Sequence, residues 1–180
     1  MPEVRIIGGQ WKRSKLVVAD KPGLRPTPNR VRETLFNWLG QNLSGWRVLD
    51  AFAGSGALGF EAASRGASYV TLLERDAELL QNLQAAALRL KAQNLRVERA
   101  EALNYMAHLP AQSYELVLLD PPFDANLFEP ALAAATRVLT AHGMIYLESN
   151  VALTSPPDGF EVWRQARAGA VHFQLLRRIS

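Results

Sequence analysis

Short apolar runs alternate with longer segments of helical periodicity from Trp46 to the end of the chain. Short apolar runs bounded by turn residues indicate buried strands, whereas apolar residues repeated every three to four positions indicate helices. Strand and helix in alternation are typical of α/β proteins, in which a mostly parallel sheet carries helices on both faces. The predicted strands are 47–51, 69–73, 95–97, 116–119 and 144–147, and the predicted helices are 58–64, 77–90, 102–108 and 127–139.

The C-terminal pattern differs, because the strand-like runs 160–164 and 171–176 are separated only by residues 165–170. A connection this short joins antiparallel strands, since a parallel crossover needs a dozen or more residues. The sequence therefore predicts a sheet of seven strands that ends in an antiparallel hairpin.

The N-terminal region predicts a small hairpin formed by runs 4–7 and 16–18, followed by a segment broken by prolines and a glycine. A helix is predicted to start at Thr27 and Pro28, with Thr27 as the N-cap and Pro28 as the first helical residue. Its apolar face would leave Arg30 and Arg32 available for a partner. The prediction is an extension over 1–45 that precedes a second region over 46–180.

Composition narrows the class of protein. The chain has 180 residues, of which 48% are apolar and 21% charged, as expected for a single globular domain. It contains no cysteine, which excludes disulfides, thiolate zinc sites and a cysteine nucleophile. The three histidines lack ligand spacing, so we expect no metal. Without a long apolar run or a signal-like segment, we expect no membrane span and a cytoplasmic location.

Charge is distributed unevenly along the chain. Residues 1–47 contain nine Lys/Arg and three Asp/Glu, a net charge of +6, whereas residues 48–180 contain eleven and fourteen, a net charge of −3. A basic segment on a mildly acidic body is typical of docking to a polyanion such as nucleic acid, although a solubilising surface would explain it equally well.

A glycine-rich loop follows the first strand of the second region. Gly54, Gly56 and Gly59 match G-x-G-x-x-G, which lets a ligand approach the backbone at a helix N-terminus, although an ordinary tight turn also uses glycines. Asp50 at the strand end would repel a pyrophosphate and suits a cationic ligand. Glu74 ends the next strand, where it would accept both hydroxyls of a ribose.

Glu101 follows the third strand of this region, where it would reach an adenine amine. Its neighbours Glu98 and Arg99 allow a surface salt bridge instead.

The tetrapeptide 120–123 (DPPF) lies at the end of the fourth predicted strand of this region, an edge where α/β sheets bind ligands. Its two prolines remove backbone donors and leave carbonyls and Asp120 as acceptors. Asp120 and the Pro121 carbonyl would accept both hydrogens of an exocyclic amine, while Phe123 would stack on the base. A strand-ending turn with Phe123 in the core is the alternative.

These residues give the chain a family resemblance. Asp50, Gly54, Gly56, Glu74 and segment 120–123 resemble class I S-adenosylmethionine-dependent methyltransferases. Segments 5–11 (RIIGGQW), 24–39 (LRPTPNRVRETLFNWL) and 52–59 (FAGSGALG) are similar to the RsmD-type enzymes, which methylate N2 of a guanine in bacterial 16S ribosomal RNA. Glu101 departs from this family, which often has Asn or Asp at that position.

The resemblance implies a Rossmann-like class I methyltransferase fold and transfer of a methyl group from S-adenosylmethionine, with S-adenosylhomocysteine as the product. It implies a substrate of 16S ribosomal RNA within the 30S subunit or an assembly intermediate, and we expect a monomer. The implied catalytic residues are Asp120, Pro121, Pro122 and Phe123. The implied cofactor residues are Asp50, Phe52, Gly54, Gly56, Glu74, Glu101 and Asp120. The implied RNA-binding residues of the docking extension 1–45 are Arg5, Trp11, Lys12, Arg13, Lys15, Arg25, Arg30 and Arg32.

Three other functions fit parts of the pattern. An N6-adenine DNA methyltransferase uses a similar tetrapeptide, but usually with Tyr in place of Phe123 and with a separate target-recognition domain. A small NAD-dependent reductase is disfavoured by Asp50 and by the lack of a convincing general acid. A non-catalytic RNA-binding protein would have no need of the intact 120–123 motif.

Overall fold

The computed structural model describes residues 3–122 and 126–179, which form nine strands and five helices. In chain order the strands are β1 (Glu3–Arg5), β2 (Lys15–Val17), β3 (Arg47–Asp50), β4 (Tyr69–Glu74), β5 (Leu95–Arg99), β6 (Tyr114–Leu119), β7 (Leu139–Ser149), β8 (Phe160–Ala168) and β9 (Val171–Arg178). The helices are α1 (Asn29–Leu39), α2 (Ala57–Ser64), α3 (Ala77–Arg89), α4 (Ala102–Ala107) and α5 (Phe128–Val138).

Seven strands form one sheet in the order β5-β4-β3-β6-β7-β9-β8. The strands from β5 to β7 run parallel, and β9 lies antiparallel between β7 and β8. Strands β1 and β2 form a separate antiparallel hairpin. The predicted mostly parallel sheet, the closing hairpin and the N-terminal hairpin are confirmed. The strand order reverses at β3, between β4 and β6, and ligands of α/β sheets bind beyond the carboxyl ends at such a point.

Helices cover both faces of the sheet, as predicted. Val31 of α1, Phe60 of α2 and Leu83 of α3 belong to one buried cluster, whereas Met106 of α4 and Ala131 of α5 belong to the other. None of the helices in residues 3–122 and 126–179 is long and apolar enough to cross a membrane.

The N-terminal region shares the core of the main sheet. Val4, Ile6 and Leu16 are buried in the same cluster as Val48 and Leu116 of the sheet. Residues 3–45 of this extension therefore pack as part of the same body as the main sheet, and the separate role of the extension in docking stays a prediction.

The predicted N-cap of α1 is wrong. The helix begins at Asn29 with Pro28 in the N-cap position, and no side chain caps it. The hydroxyl of Thr27 instead donates to Oε2 of Glu148 at 2.9 Å, and Thr27 is buried. A hydrogen bond to a buried carboxylate is stronger than one between neutral groups, so this distant partner outcompetes the local backbone.

Candidate functional site

Four acidic residues lie where parallel strands end. Asp50 ends β3, Glu74 ends β4, Asp120 follows β6, and Glu148 lies one residue before the end of β7. Because parallel strands end at the same edge, the fold brings these carboxylates to one edge of the sheet. Three of the four were predicted as site residues, and Glu148 was not.

The glycine loop and Glu74 meet directly. Oε1 of Glu74 accepts a hydrogen bond from the backbone N–H of Gly54 at 3.0 Å, and Oε2 accepts from the N–H groups of Arg75 and Asp76 at 2.9 Å. Gly54 and Gly56 have φ of 57° and 83°, a left-handed conformation that favours glycine. The loop is thus fixed beside a carboxylate whose Oε1 retains a free lone pair.

Asp50 lies beneath the loop. It is 1% exposed, and its Oδ2 accepts a hydrogen bond from the N–H of Gly59 at 3.0 Å. A Cβ on Gly59 would lie 2.9 Å from Cγ of Leu72 and 3.0 Å from this oxygen, so glycine is required for the close approach of α2 to the sheet. Burial raises the pKa of Asp50 to about 7, and the Gly59 hydrogen bond opposes this shift.

The raised pKa of Asp50 predicts a pH-dependent stability. The folded chain holds the Asp50 proton up to about pH 7, whereas the unfolded chain releases it near pH 4, so stability falls as pH rises between these values. Between pH 5 and pH 8, ionisation of Asp50 should lower the free energy of unfolding by about 2–3 kcal/mol. We expect the free energy of unfolding, measured by urea denaturation, to fall less between these two pH values for Asp50→Asn than for the wild type. Equal losses would contradict the prediction.

Asp120 and the prolines lie at the adjacent strand end. Asp120 is partly exposed, Pro121 is buried and Pro122 is exposed. Burial raises the pKa of Asp120 well above its ordinary value, and the nearby charges of Glu148 and Asp50 raise it further. The predicted stacking residue Phe123 lies outside the described residues.

A cavity of about 400 Å³ opens beside Pro121. Its walls include Pro122, Glu148, the start of α5 at Phe128, and the loop 149–155. A volume in this range is typical of small-ligand pockets.

Glu148 is the site residue that the sequence prediction missed. It is 5% exposed, and its Oε2 accepts hydrogen bonds from the hydroxyls of Thr27 and Tyr146, both at 2.9 Å. Burial raises the pKa of Glu148, while the two donated hydrogen bonds lower it. The signal was available, since Glu148 directly follows the predicted strand 144–147 in the same way as Asp120 follows the predicted strand 116–119.

Two predicted cofactor residues have structural contacts of their own. Glu101 caps α4, because its carboxylate accepts from the N–H groups of Leu103 and Asn104 at 2.6 and 3.2 Å. Phe52 is half-buried against the cluster of α4 and α5. Neither contact tests a role toward a cofactor, and both assignments stay predictions.

The prediction that Arg32 is free to bind RNA is wrong. Arg32 is 0% exposed, and its Nη1 lies 3.0 Å from Oε1 of Glu61, which is equally buried. Burial lowers the pKa of Arg32, and the Glu61 carboxylate opposes this. A buried guanidinium requires such a partner, so Arg32 anchors α1 to α2.

The other basic candidates separate into two groups. Lys12, Arg13 and Lys15 are exposed around the hairpin turn. This turn contacts the C-terminal end of α2, where the N–H of Trp11 donates to Oγ of Ser64 at 2.9 Å. Arg5 is also exposed and lies 3.5 Å from Glu3.

Arg25 and Arg30 form the second group and flank, in the sequence, a residue that contacts the candidate site. Both are exposed, and they flank Thr27, which contacts Glu148. Trp11, which was predicted to bind RNA by stacking on a base, is half-buried edge-to-face against Phe60 at a centroid distance of 6.4 Å. Base stacking by Trp11 stays a prediction.

Comparisons with known proteins extend over nearly the whole chain. The model of the family described as Conserved hypothetical protein 95 matches residues 4–177. Ribosomal RNA small subunit methyltransferase D of Escherichia coli strain K12 is 43% identical over 180 residues, covering 98% of this chain and 90% of the relative. The protein of the same name from Haemophilus influenzae is 39% identical over 183 residues, covering 96% and 93%.

Solved structures agree with these sequence matches. The structure of yhhF from Escherichia coli superposes with a TM-score of 0.87 and 41% identity, covering 98% of both chains. A solved structure from Haemophilus influenzae gives a TM-score of 0.84 and 34% identity, covering 99% of this chain and all of the other. The chain therefore belongs to the RsmD-type methyltransferase family.

Proposed function

We propose that this enzyme transfers a methyl group from S-adenosylmethionine to the exocyclic N2 amine of a guanine in 16S ribosomal RNA. The observation that carries the proposal is that the glycine loop, Glu74 and the Asp120–Pro121 acceptors share one sheet edge, with a cavity beside Pro121. The names of the relatives support ribosomal RNA of the small subunit as the substrate.

The residues around the glycine loop suit a nucleoside cofactor with a positive charge. Glu74 would accept from one ribose hydroxyl with a lone pair of Oε1, and Gly54, which has no side chain, would let the ribose approach the backbone. The acidic surroundings of Asp50 and Asp120 favour a cation over an anion. When bound, S-adenosylmethionine supplies a methyl carbon activated by its sulfonium.

Asp120 and Pro121 would prepare the amine to react. The lone pair of an exocyclic guanine amine is delocalised into the ring, which makes it a poor nucleophile. Two acceptors on its hydrogens would favour a pyramidal nitrogen with a directed lone pair, and correct orientation contributes roughly 7–11 kcal/mol. The ionised Asp120 would also stabilise the positive charge that develops on nitrogen.

The decisive experiment compares transfer of labelled methyl from S-adenosylmethionine to four substrates. These are 30S subunits that lack the modification, free 16S RNA, duplex DNA and a protein extract. Label at a guanine N2 in the subunits or the 16S RNA supports the proposal, and the comparison of these two identifies the assembly state that is recognised. Label in DNA at adenine N6 would instead establish the alternative methyltransferase. Absence of label in all four would overturn the proposal.

The exposed basic residues of the N-terminal region should contribute to RNA affinity. We expect Arg25→Ala/Arg30→Ala to weaken binding to the RNA substrate, because both side chains are exposed and lie two and three positions from Thr27, which contacts Glu148. If each contacts a phosphate, the slope of log affinity against log salt should fall in magnitude by about 1–2. Affinity measured over a series of salt concentrations tests this, and an unchanged slope would exclude these residues as phosphate contacts.

Arg47→Ala provides a matched control for this experiment. Arg47 is exposed at the amino end of β3, on the edge of the sheet opposite the site, and it pairs with Glu115 at 2.7 Å. The substitution removes one positive charge at a position away from the residues that we propose contact the RNA. The same measurement on Lys12→Ala/Arg13→Ala tests whether the hairpin turn also contacts the RNA.

A further inference from the structure

We propose that Glu148 reads the ring N1–H of the target guanine and so selects guanine over bases that lack this hydrogen. The inference deepens the function proposed above and rests on it. Glu148 would be a specificity-determining residue, distinct from the Asp120 and Pro121 acceptors of the amine.

Strand register places Glu148 beside Asp120. Leu118 pairs with Tyr146 and Leu119 with Leu147 across β6 and β7, so the next residues of the two strands are neighbours at the sheet edge. After burial, the negative charge of Glu148 is the largest cause of the raised pKa of Asp120. Two acceptor groups thus lie side by side at the strand ends.

The Glu148 carboxylate is held by one oxygen only. Oε2 receives the hydroxyl hydrogens of Thr27 and Tyr146, both at 2.9 Å. Among the described residues, none donates a hydrogen bond to Oε1. Glu148 lines the cavity beside Pro121 and Pro122 although it is 5% exposed, and we infer that Oε1 is the oxygen that faces this cavity.

Guanine fits this pair of acceptors. Its N2 amine and its N1–H are adjacent donors on the Watson–Crick edge, the edge that enzymes read on an extruded base. With the amine at Asp120 and Pro121, N1–H would face the neighbouring Oε1 of Glu148. Adenine carries a lone pair at N1, which a carboxylate repels, so the same arrangement excludes adenine.

Hydrogen bonding opposes the effect of burial on Glu148. Burial raises the pKa of Glu148, whereas the hydroxyls of Thr27 and Tyr146 lower it by stabilising the ionised carboxylate. A bound N1–H would add a third donor. Thr27 belongs to the segment that carries Arg25 and Arg30, which links base reading to the proposed docking residues.

The test replaces the target guanine by 2-aminopurine, which keeps the C2 amine and lacks N1–H. A 16S RNA ligated to carry either base at the methylated position is assembled into small subunits, and kcat/KM is measured for both. We expect the wild type to prefer guanine by roughly 10–100-fold, the value of one hydrogen bond to a charged group. Glu148→Ala and Glu148→Gln should reduce this preference to near equality.

The ratio of the two substrates separates recognition from stability, because each variant is compared with itself. Guanine and 2-aminopurine also differ at C6, so only the part of the preference that disappears in the Glu148 variants is assigned to Glu148. Asp158→Ala, which removes an exposed carboxylate from the segment before β8, should keep the wild-type ratio.

The outcomes distinguish this inference from the proposed function. If the wild type transfers no methyl to the guanine N2, the proposed function fails. If it methylates guanine but accepts 2-aminopurine equally well, only the role of Glu148 is overturned. Variants that keep the wild-type preference, or that are inactive with both RNAs, also overturn it, because Glu148 would then serve something other than N1–H.

Discussion

Asp120→Ala should lower kcat for methyl transfer by roughly 10²–10⁴-fold while the Kd for S-adenosylmethionine stays nearly unchanged. The reason is that the Asp120 carboxylate lies at the end of β6, where we place the amine, whereas Glu74 holds the glycine loop at the end of β4. Single-turnover transfer and equilibrium cofactor binding measure the two quantities separately.

Glu74→Ala is the complementary variant and should mainly raise the Kd for the cofactor. Asp158→Ala serves as the control for loss of a carboxylate, because Asp158 is exposed before β8. If Asp120→Ala abolished cofactor binding, the cofactor role that the resemblance implies for Asp120 would be its main one, and the placement of the amine would be wrong.

A pH profile distinguishes the charge of Asp120 from its hydrogen-bond geometry. The raised pKa of Asp120 means that ionisation requires a higher pH than for an ordinary carboxyl, so kcat of the wild type should rise with pH. The nearby Glu148 and Asp50 titrate in the same environment and contribute to this rise. Asp120→Asn keeps an acceptor but has no charge, and it should show a flatter profile.

Periodicity and strand ends were sufficient to predict most of the fold and much of the site. The alternation of strands and helices is a local property, and the structure has each predicted element, although β7 begins five residues earlier and β8 ends four residues later than predicted. Carboxylates that follow successive parallel strands must meet at one edge, so Asp50, Glu74 and Asp120 could be grouped without coordinates. The grouping of these three carboxylates follows from the order and direction of the parallel strands, and it does not depend on contacts between individual side chains.

The errors concern residues whose partners are remote in the sequence. Thr27 has a favourable local role as a helix cap, yet its hydroxyl bonds Glu148, 121 positions away. Arg32 lies off the apolar stripe of α1, yet it pairs with Glu61, 29 positions away. Helical periodicity describes one buried face, and it could not show that α1 buries a second face against α2.

Glu61 is the group that holds this second face together. Its Oε1 accepts from the N–H of Ile7 at 2.9 Å and from Arg32 at 3.0 Å, and its Oε2 accepts from the N–H of Gly8 and from Arg65, both at 2.9 Å. The carboxylate is 0% exposed. One side chain of α2 therefore joins the N-terminal hairpin and α1 to the main sheet.

Glu61→Ala should lower the free energy of unfolding by about 3–5 kcal/mol, because it leaves the buried guanidinium groups of Arg32 and Arg65 without their carboxylate partner. The N–H groups of Ile7 and Gly8 would also lose their acceptor. Urea denaturation measures the loss, and Glu33→Ala, which removes an exposed carboxylate from α1, is the control and should have little effect.

Arg32→Ala is the second variant of this prediction, because it tests whether Arg32 anchors α1 to α2 or binds RNA. It should destabilise the chain by leaving the Glu61 carboxylate with one buried cation instead of two, while the salt dependence of RNA binding stays that of the wild type. Arg30→Ala, two positions earlier on the exposed side of α1, should do the reverse. A stable Arg32→Ala protein with a reduced salt slope would show that Arg32 leaves Glu61 to reach the RNA, and α1 would then have to move when the substrate binds.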